Sequence, residues 1–114
     1  MVIKRGQIWW AELPEPIGSG PGYRSPLLII QSNDFNKSKI NTIIAALITS
    51  NIRLSAAPGN ILLSIKKSKL PKESVINISQ LITIDKSFLT EKANTLSSSI
   101  MTNVDEGVRL VLQL

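Results

Sequence analysis

The sequence predicts an α+β fold, a small and strongly curved antiparallel sheet or SH3-like barrel with a C-terminal helix. Several apolar runs of strand length are separated by short polar or Pro/Gly turns. Only the C-terminal segment shows a clear stripe of apolar residues at helical spacing. The chain has 114 residues and no repeat, linker or low-complexity tail, so we expect one domain over residues 1–114. Strands followed by a final helix are typical of α+β domains.

Six segments are predicted to be strands. In the first, Gly6 predicts a bend, and alternation places Ile8 and Trp10 on one face and Trp9 on the other. Between the strands, we predict a polar turn at 32–36 and a Pro-Gly turn at 58–59. The lysine-rich segment at 66–72 is predicted to be a solvated loop, and the alternative is that its lysines follow the backbone of a bound RNA. The predicted strands are residues 2–13, 27–31, 41–48, 61–65, 74–84 and 88–96.

The final helix is predicted over residues 97–114, with a serine at 97, 98 or 99 as its cap. Gly107 lies inside this helix, where glycine costs about 1 kcal/mol relative to alanine. It therefore indicates either a close approach to another element or tolerated strain. The stripe expected to pack on the sheet consists of Ile100, Met101, Val104, Val108, Val111 and Leu112.

Composition narrows the possible chemistry. The chain has no cysteine and no histidine, so disulfides, thiolate metal sites and histidine acid–base catalysis are excluded. Thirteen Lys and Arg residues against eight Asp and Glu give a formal charge of +5, which suits a polyanionic partner. No segment resembles a signal peptide or a membrane span, so we expect a cytoplasmic protein.

Two segments hold the candidate functional residues. Residues 18–26 are predicted to form a glycine- and proline-rich loop that presents Arg24 at the start of an apolar strand. Thr49, Ser50 and Asn51 end the central strand. Taken alone, the first segment could be an ordinary hairpin loop, and the second could end its strand by bonding backbone groups.

Four blocks in this order resemble the MazF/PemK (Kid-like) toxins, endoribonucleases of type II toxin–antitoxin systems: KRGQIWWAELP, RSPLLIIQSNDFN, IIAALITSN and SQLITIDK. The resemblance implies a MazF/PemK-like fold and sequence-selective cleavage of single-stranded mRNA without a metal or cofactor, leaving 2′,3′-cyclic phosphate and 5′-hydroxyl ends. It also implies a homodimer, a MazE-like antitoxin with a disordered acidic tail, and DNA binding by the toxin–antitoxin complex.

The same resemblance implies roles for individual residues. Arg24 and Thr49 are the expected catalytic pair, with Ser25 and Ser50 as their neighbours. For Gln80 the alternative is a polar side chain on an exposed strand face. The residues expected to bind RNA are Gly18, Ser19, Gly20, Tyr23, Gln31, Asn51 and Gln80.

One departure from the family pattern leaves the activity open. The family usually has arginine directly before the loop proline, but Ser25 precedes Pro26 here and Arg24 comes one residue earlier. Either the chain bulges to bring Arg24 into place, or this copy is weakened or inactive. The rival functions are an RNA-binding or antitoxin-binding module without catalysis and a peptide-binding interaction domain.

Overall fold

The computed structural model describes residues 2–14 and 23–114, which form one six-stranded antiparallel sheet and three helices. The sheet curls into a half-barrel in the order β4-β5-β3-β2-β1-β6, and this confirms the predicted fold class. The strands are β1 (Gln7–Leu13), β2 (Tyr23–Ile29), β3 (Thr42–Thr49), β4 (Ile61–Leu63), β5 (Ser74–Asp85) and β6 (Leu89–Thr95). The helices are α1 (Asn33–Lys37), α2 (Ile65–Ser68) and α3 (Ser98–Leu112).

Alternation along the strands builds two apolar clusters, one on each face of the sheet. In β1, Trp9 packs into one cluster, while Ile8 packs into the other with Trp10 at its edge. The α3 side chain of Val104 is fully buried in the second cluster. The two-faced reading of the first strand is therefore confirmed, and α3 covers the face that Trp10 shares.

The segment before β1 ties the N-terminus to the sheet and to α3. Gly6 has a φ of +91°, which favours glycine, and its N–H donates to the Ile29 carbonyl at 2.9 Å. The Arg5 guanidinium donates to Asp105 of α3 at 2.6 Å and to the Ile30 carbonyl at 2.8 Å. The chain thus bends at Gly6 as predicted, although the regular strand begins only at Gln7.

The second strand begins earlier than predicted. β2 starts at Tyr23 rather than at residue 27, because residues 23–26 pair with β1 in the register Leu13↔Tyr23 to Trp10↔Pro26. Arg24 is therefore a strand residue and not a loop residue. The glycines predicted to precede it lie outside the described residues.

Two short helices replace predicted turns and loops. The polar segment at 32–36 forms most of α1, and the lysine-rich segment contains α2. The Ser64 hydroxyl accepts a hydrogen bond from the Lys67 N–H at 3.2 Å and so starts α2. Because a serine cap of this kind favours helix initiation, the predicted strand at 61–65 ends at Leu63.

The predicted α3 is confirmed over most of its length. Ser97 caps it by accepting from the Ile100 N–H at 3.3 Å. Val111 and Leu112, expected to pack on the sheet, are instead 39% and 51% exposed, because α3 continues past Val108, the last residue of its stripe that packs on the cluster. None of the helices in the described part of the chain is long and apolar enough to cross a bilayer.

Gly107 allows α3 to touch the turn before β4. An ideal Cβ on Gly107 would lie 2.6 Å from the carbonyl oxygen of Gly59, a contact that backbone cannot accommodate without shifting. Gly59 itself has a φ of +79°. The close approach read from the sequence is therefore present.

We expect Gly107→Ala to lower the free energy of unfolding by up to about 2 kcal/mol. Alanine gains about 1 kcal/mol in helix propensity, but overpacking against backbone costs about 1–3 kcal/mol. Urea denaturation measures the difference. The control is the exposed neighbour Glu106→Ala, for which a change within about 0.5 kcal/mol is expected. An alanine variant more stable than the wild type would contradict the steric account.

Candidate active site

A cavity of about 370 Å³ lies where the start of β2, the end of β3 and the segment before β5 meet. The four predicted catalytic residues all line it. They are Arg24, Ser25, Thr49 and Ser50. The remaining lining residues are Trp10, Pro26, Ile48, Leu70, Pro71, Lys72 and Ser74.

Strand pairing explains why residues so distant in sequence meet here. β2 and β3 are antiparallel, and their last pair toward the cavity is Leu27↔Leu47. Two residues further along each strand are Ser25 and Thr49. Since neighbouring strands are about 4.8 Å apart, the end of β3 lies beside the start of β2.

Thr49 is half-buried, and its hydroxyl oxygen accepts a hydrogen bond from the Asn51 N–H at 3.1 Å. A hydroxyl accepts through its oxygen and still has one O–H to donate. The backbone therefore fixes the Thr49 oxygen and leaves its proton available to a ligand in the cavity. Ser50 follows on the exposed side of the strand end.

Arg24 is held in place by β1 and β6. Its guanidinium donates to Glu91 at 2.8 Å and to the Thr90 hydroxyl at 3.2 Å, and it lies 3.7 Å from a Glu12 oxygen. It also lies 4.6 Å from the centroid of the Trp10 ring, within range of a cation–π interaction. The register explains this group, because Arg24 pairs with Glu12 across β1–β2 and Trp10 pairs with Glu91 across β1–β6.

The pairing of β1 with β2 runs without a register shift from Ile8↔Leu28 to Leu13↔Tyr23. Within the described residues, β2 therefore contains no bulge that brings Arg24 to the position of Ser25. The preceding loop, residues 15–22, lies outside the described residues, so a bulge there stays a prediction. Arg24 lines the cavity from the face of the sheet that it shares with Trp10 and Pro26. Ser25 is half-buried and starts from the opposite face of the strand.

The described residues predicted to bind RNA, unlike the predicted catalytic residues, are not found together in the cavity lining. Gly18, Ser19 and Gly20 lie outside the described residues. The four that the structure describes do not line the cavity, and their RNA contacts stay predictions: Tyr23, Gln31, Asn51 and Gln80.

Gln31 and Gln80 have structural partners instead. Gln31 is buried, and its amide donates to the Thr42 carbonyl at 3.0 Å and to Asn36 at 3.0 Å. The Gln80 oxygen accepts from Asn77 at 2.7 Å. The Gln31 amide therefore links α1 to β3, whereas the Gln80 contact stays within β5.

Sequence reasoning missed the polar residues that surround Arg24. The sequence patterns point to neither Glu12 nor Glu91, and at Lys72 they favour a solvated loop, with RNA tracking as the alternative. For Glu12 a signal exists, because a hairpin of β1 and β2 places Glu12 opposite Arg24. Nothing local in the sequence connects Glu91, which is 67 residues away, or places Lys72 at the cavity.

The fold is that of the solved MazF toxins. MazF from Deinococcus radiodurans matches with a TM-score of 0.81 at 18% identity, covering 100% of this chain and 99% of that chain. An endoribonuclease in complex with its cognate antitoxin from Mycobacterial species matches with a TM-score of 0.78 at 20% identity, over 98% of this chain and 96% of that chain.

Sequence comparison makes the assignment specific. The family model of the PemK-like, MazF-like toxins of type II toxin–antitoxin systems matches residues 4–112. Endoribonuclease MazF6 of Mycobacterium tuberculosis is 46% identical over 114 residues, all of both chains. Endoribonuclease EndoA of Bacillus subtilis is 36% identical over 100% of this chain and 97% of its own length. The chain belongs to the PemK-like, MazF-like toxin family, as the four sequence blocks indicate.

The Arg24–Glu91 pair lies at the surface, with side chains 43% and 65% exposed. Because exposed ion pairs contribute about 0–1 kcal/mol, we expect Glu91→Gln to change the free energy of unfolding by less than about 1 kcal/mol. Urea denaturation tests this, with Glu12→Gln as the matched control at the longer 3.7 Å contact. A loss above about 2 kcal/mol would show that the pair is structural.

Proposed function

We propose that this protein is a sequence-selective endoribonuclease that cleaves single-stranded mRNA without a metal ion and leaves 2′,3′-cyclic phosphate and 5′-hydroxyl ends. The whole chain, residues 1–114, acts as one toxin domain. The observation that supports this most directly is that Arg24 and Thr49, from two different strands, line one cavity. Relatives that cover the full chain are named endoribonucleases.

In the proposed reaction, the ribose 2′-oxygen attacks the adjacent phosphorus and the bond from phosphorus to the 5′-oxygen breaks. The 2′-hydroxyl loses its proton to a base, and the leaving 5′-oxygen gains one. Negative charge develops on the non-bridging phosphate oxygens, where fixed hydrogen-bond donors lower the barrier. Thr49 supplies such a donor, because its oxygen is held by the Asn51 N–H.

Arg24 acts in the same step as a cation and donor. A guanidinium has five N–H donors and is already protonated before the reaction, so it is unsuited to accept the 2′-proton as the base. Its contacts with Glu91 and Thr90 orient the group and leave further N–H donors for a phosphate. We assign it to charge stabilisation and proton donation to the 5′-oxygen, and we assign no base.

A second function is favoured by two specific observations. Ser25 precedes Pro26 where the family usually has arginine, and Arg24 is engaged by two carboxylates. Both favour a module that binds RNA and antitoxin but does not cleave. Such a protein would show salt-dependent RNA binding and no product.

The partners follow from the same proposal. Solved relatives include an endoribonuclease with its cognate antitoxin and MazE-MazF from Deinococcus radiodurans. We extend this to a MazE-like antitoxin with an acidic tail, whose charge would complement the +5 of this chain. A cytoplasmic homodimer, with DNA bound by the toxin–antitoxin complex, completes the proposal.

Thr49→Val should lower the cleavage rate constant by roughly 10²–10³-fold, the usual cost of removing one oxyanion donor. Valine keeps the β-branched shape and removes only the hydroxyl. The assay incubates a long transcript with protein in EDTA and maps the ends formed. The exposed Thr83→Val, outside the cavity lining, is the control and should cleave normally. Full activity in Thr49→Val, or cleavage that stops in EDTA and returns with Mg²⁺, would contradict the mechanism.

The displaced arginine has its own test. We expect Arg24→Gln to reduce cleavage at least about 100-fold, as loss of a transition-state donor does. Ser25→Arg should leave it within about twofold, because Arg24 already provides an arginine in the lining of this cavity. Should Ser25→Arg instead raise cleavage strongly, the natural chain would be a weakened copy and the second function would be favoured.

A further inference from the structure

The cavity contains two cationic side chains, Arg24 and Lys72, and they differ in their surroundings. Arg24 is paired with Glu91 at 2.8 Å and lies 3.7 Å from Glu12. Two carboxylates against one guanidinium leave this group with a net negative formal charge. An incoming phosphate must therefore compete with carboxylates already bound to Arg24, and the Arg24 side of the cavity offers little long-range attraction to it.

Lys72 lies in the segment between α2 and β5. Its side chain is exposed, and among the described residues its ammonium group makes no ion pair. A phosphate can bind this ammonium group without displacing an internal partner.

The backbone beneath Lys72 is fixed. Leu70 and Ser74, on either side of it, are 3% and 4% exposed. The Ser74 hydroxyl donates to the Lys72 carbonyl at 2.8 Å. The ring of Pro71 fixes the backbone φ angle of the residue directly before Lys72. The lysine is therefore attached to a rigid part of the cavity wall and not to a free loop.

We propose that Lys72 is the residue that binds an RNA phosphate in this cavity in the ground state, while Arg24 acts on the charge that develops during cleavage. This assignment rests on the proposed function. It predicts that loss of Lys72 weakens RNA binding and raises KM, whereas loss of Arg24 acts mainly on kcat.

The test measures binding to a fluorescently labelled, mixed-sequence single-stranded RNA with 2′-O-methyl groups, which cannot be attacked by its own 2′-oxygen. Fluorescence anisotropy gives the affinity across a salt series for the wild type, Lys72→Gln and Lys39→Gln. Lys39 precedes β3 at the end opposite Thr49, and β3 spans about 23 Å at 3.3 Å per residue. Both variants lose one charge, so only the place of the charge differs.

A phosphate contact to single-stranded RNA contributes about 0.7 to the slope of log affinity against log salt. Between 50 and 200 mM salt, the wild type should therefore lose roughly two- to threefold more affinity than Lys72→Gln. Lys39→Gln should keep the slope of the wild type. Equal changes in the two lysine variants would overturn the proposal, because they would show only a general effect of net charge.

Glu91→Gln provides a second measurement with the opposite sign. Removing one of the two carboxylates makes the Arg24 group neutral, so RNA affinity should rise, most at low salt. Weaker binding in this variant would contradict the charge account. RNA binding without cleavage would reject the nuclease function and leave this test intact, whereas normal cleavage with an unchanged slope in Lys72→Gln would reject only the role of Lys72.

Discussion

The continuous pairing of β1 with β2 is the constraint on which the candidate site depends. It places Arg24 opposite Glu12 and Pro26 opposite Trp10, and so fixes which side chains share a face. A shift of one residue would turn Arg24 to the other face of the sheet. Because both strands contribute to the two apolar clusters, such a shift would exchange residues between the clusters. The packing of the core and the position of the arginine are therefore set by the same register.

Charge in the cavity is distributed unevenly. The guanidinium stacks on an indole and is surrounded by carboxylates, which gives a well-defined orientation but little net attraction for an anion. The Thr49 hydroxyl is neutral and held by the backbone, and Lys72 adds a positive charge from a third segment. Orientation and attraction thus come from different residues, an arrangement that suits the proposed cleavage of RNA, a polyanion, at one phosphorus.

Sequence patterns predicted the structure correctly where the spacing of apolar side chains along one element determines which of them are buried. Alternation at Trp9 and Trp10 gave the two faces of β1, and the apolar stripe gave α3 with its serine cap. The meeting of Arg24 with Thr49 was implied only by family resemblance, since no periodic signal joins them. The start of β2 was missed because Tyr-Arg-Ser-Pro lacks apolar alternation and becomes a strand through pairing with β1. The Arg24–Glu91 contact depends on β6 lying beside β1, a tertiary fact that no local pattern contains.

The contact between Gly59 and Gly107 has a mechanical consequence. Two backbones meet there with no side chain between them, so nothing compressible lies at the junction. Asn60, the next residue, donates to Asn77 and accepts from the Ile78 N–H, which joins the turn to the irregular part of β5. A tilt of α3 toward the sheet would press directly on this turn and through it on β5. Through this turn, α3 therefore supports the middle of β5, the longest strand.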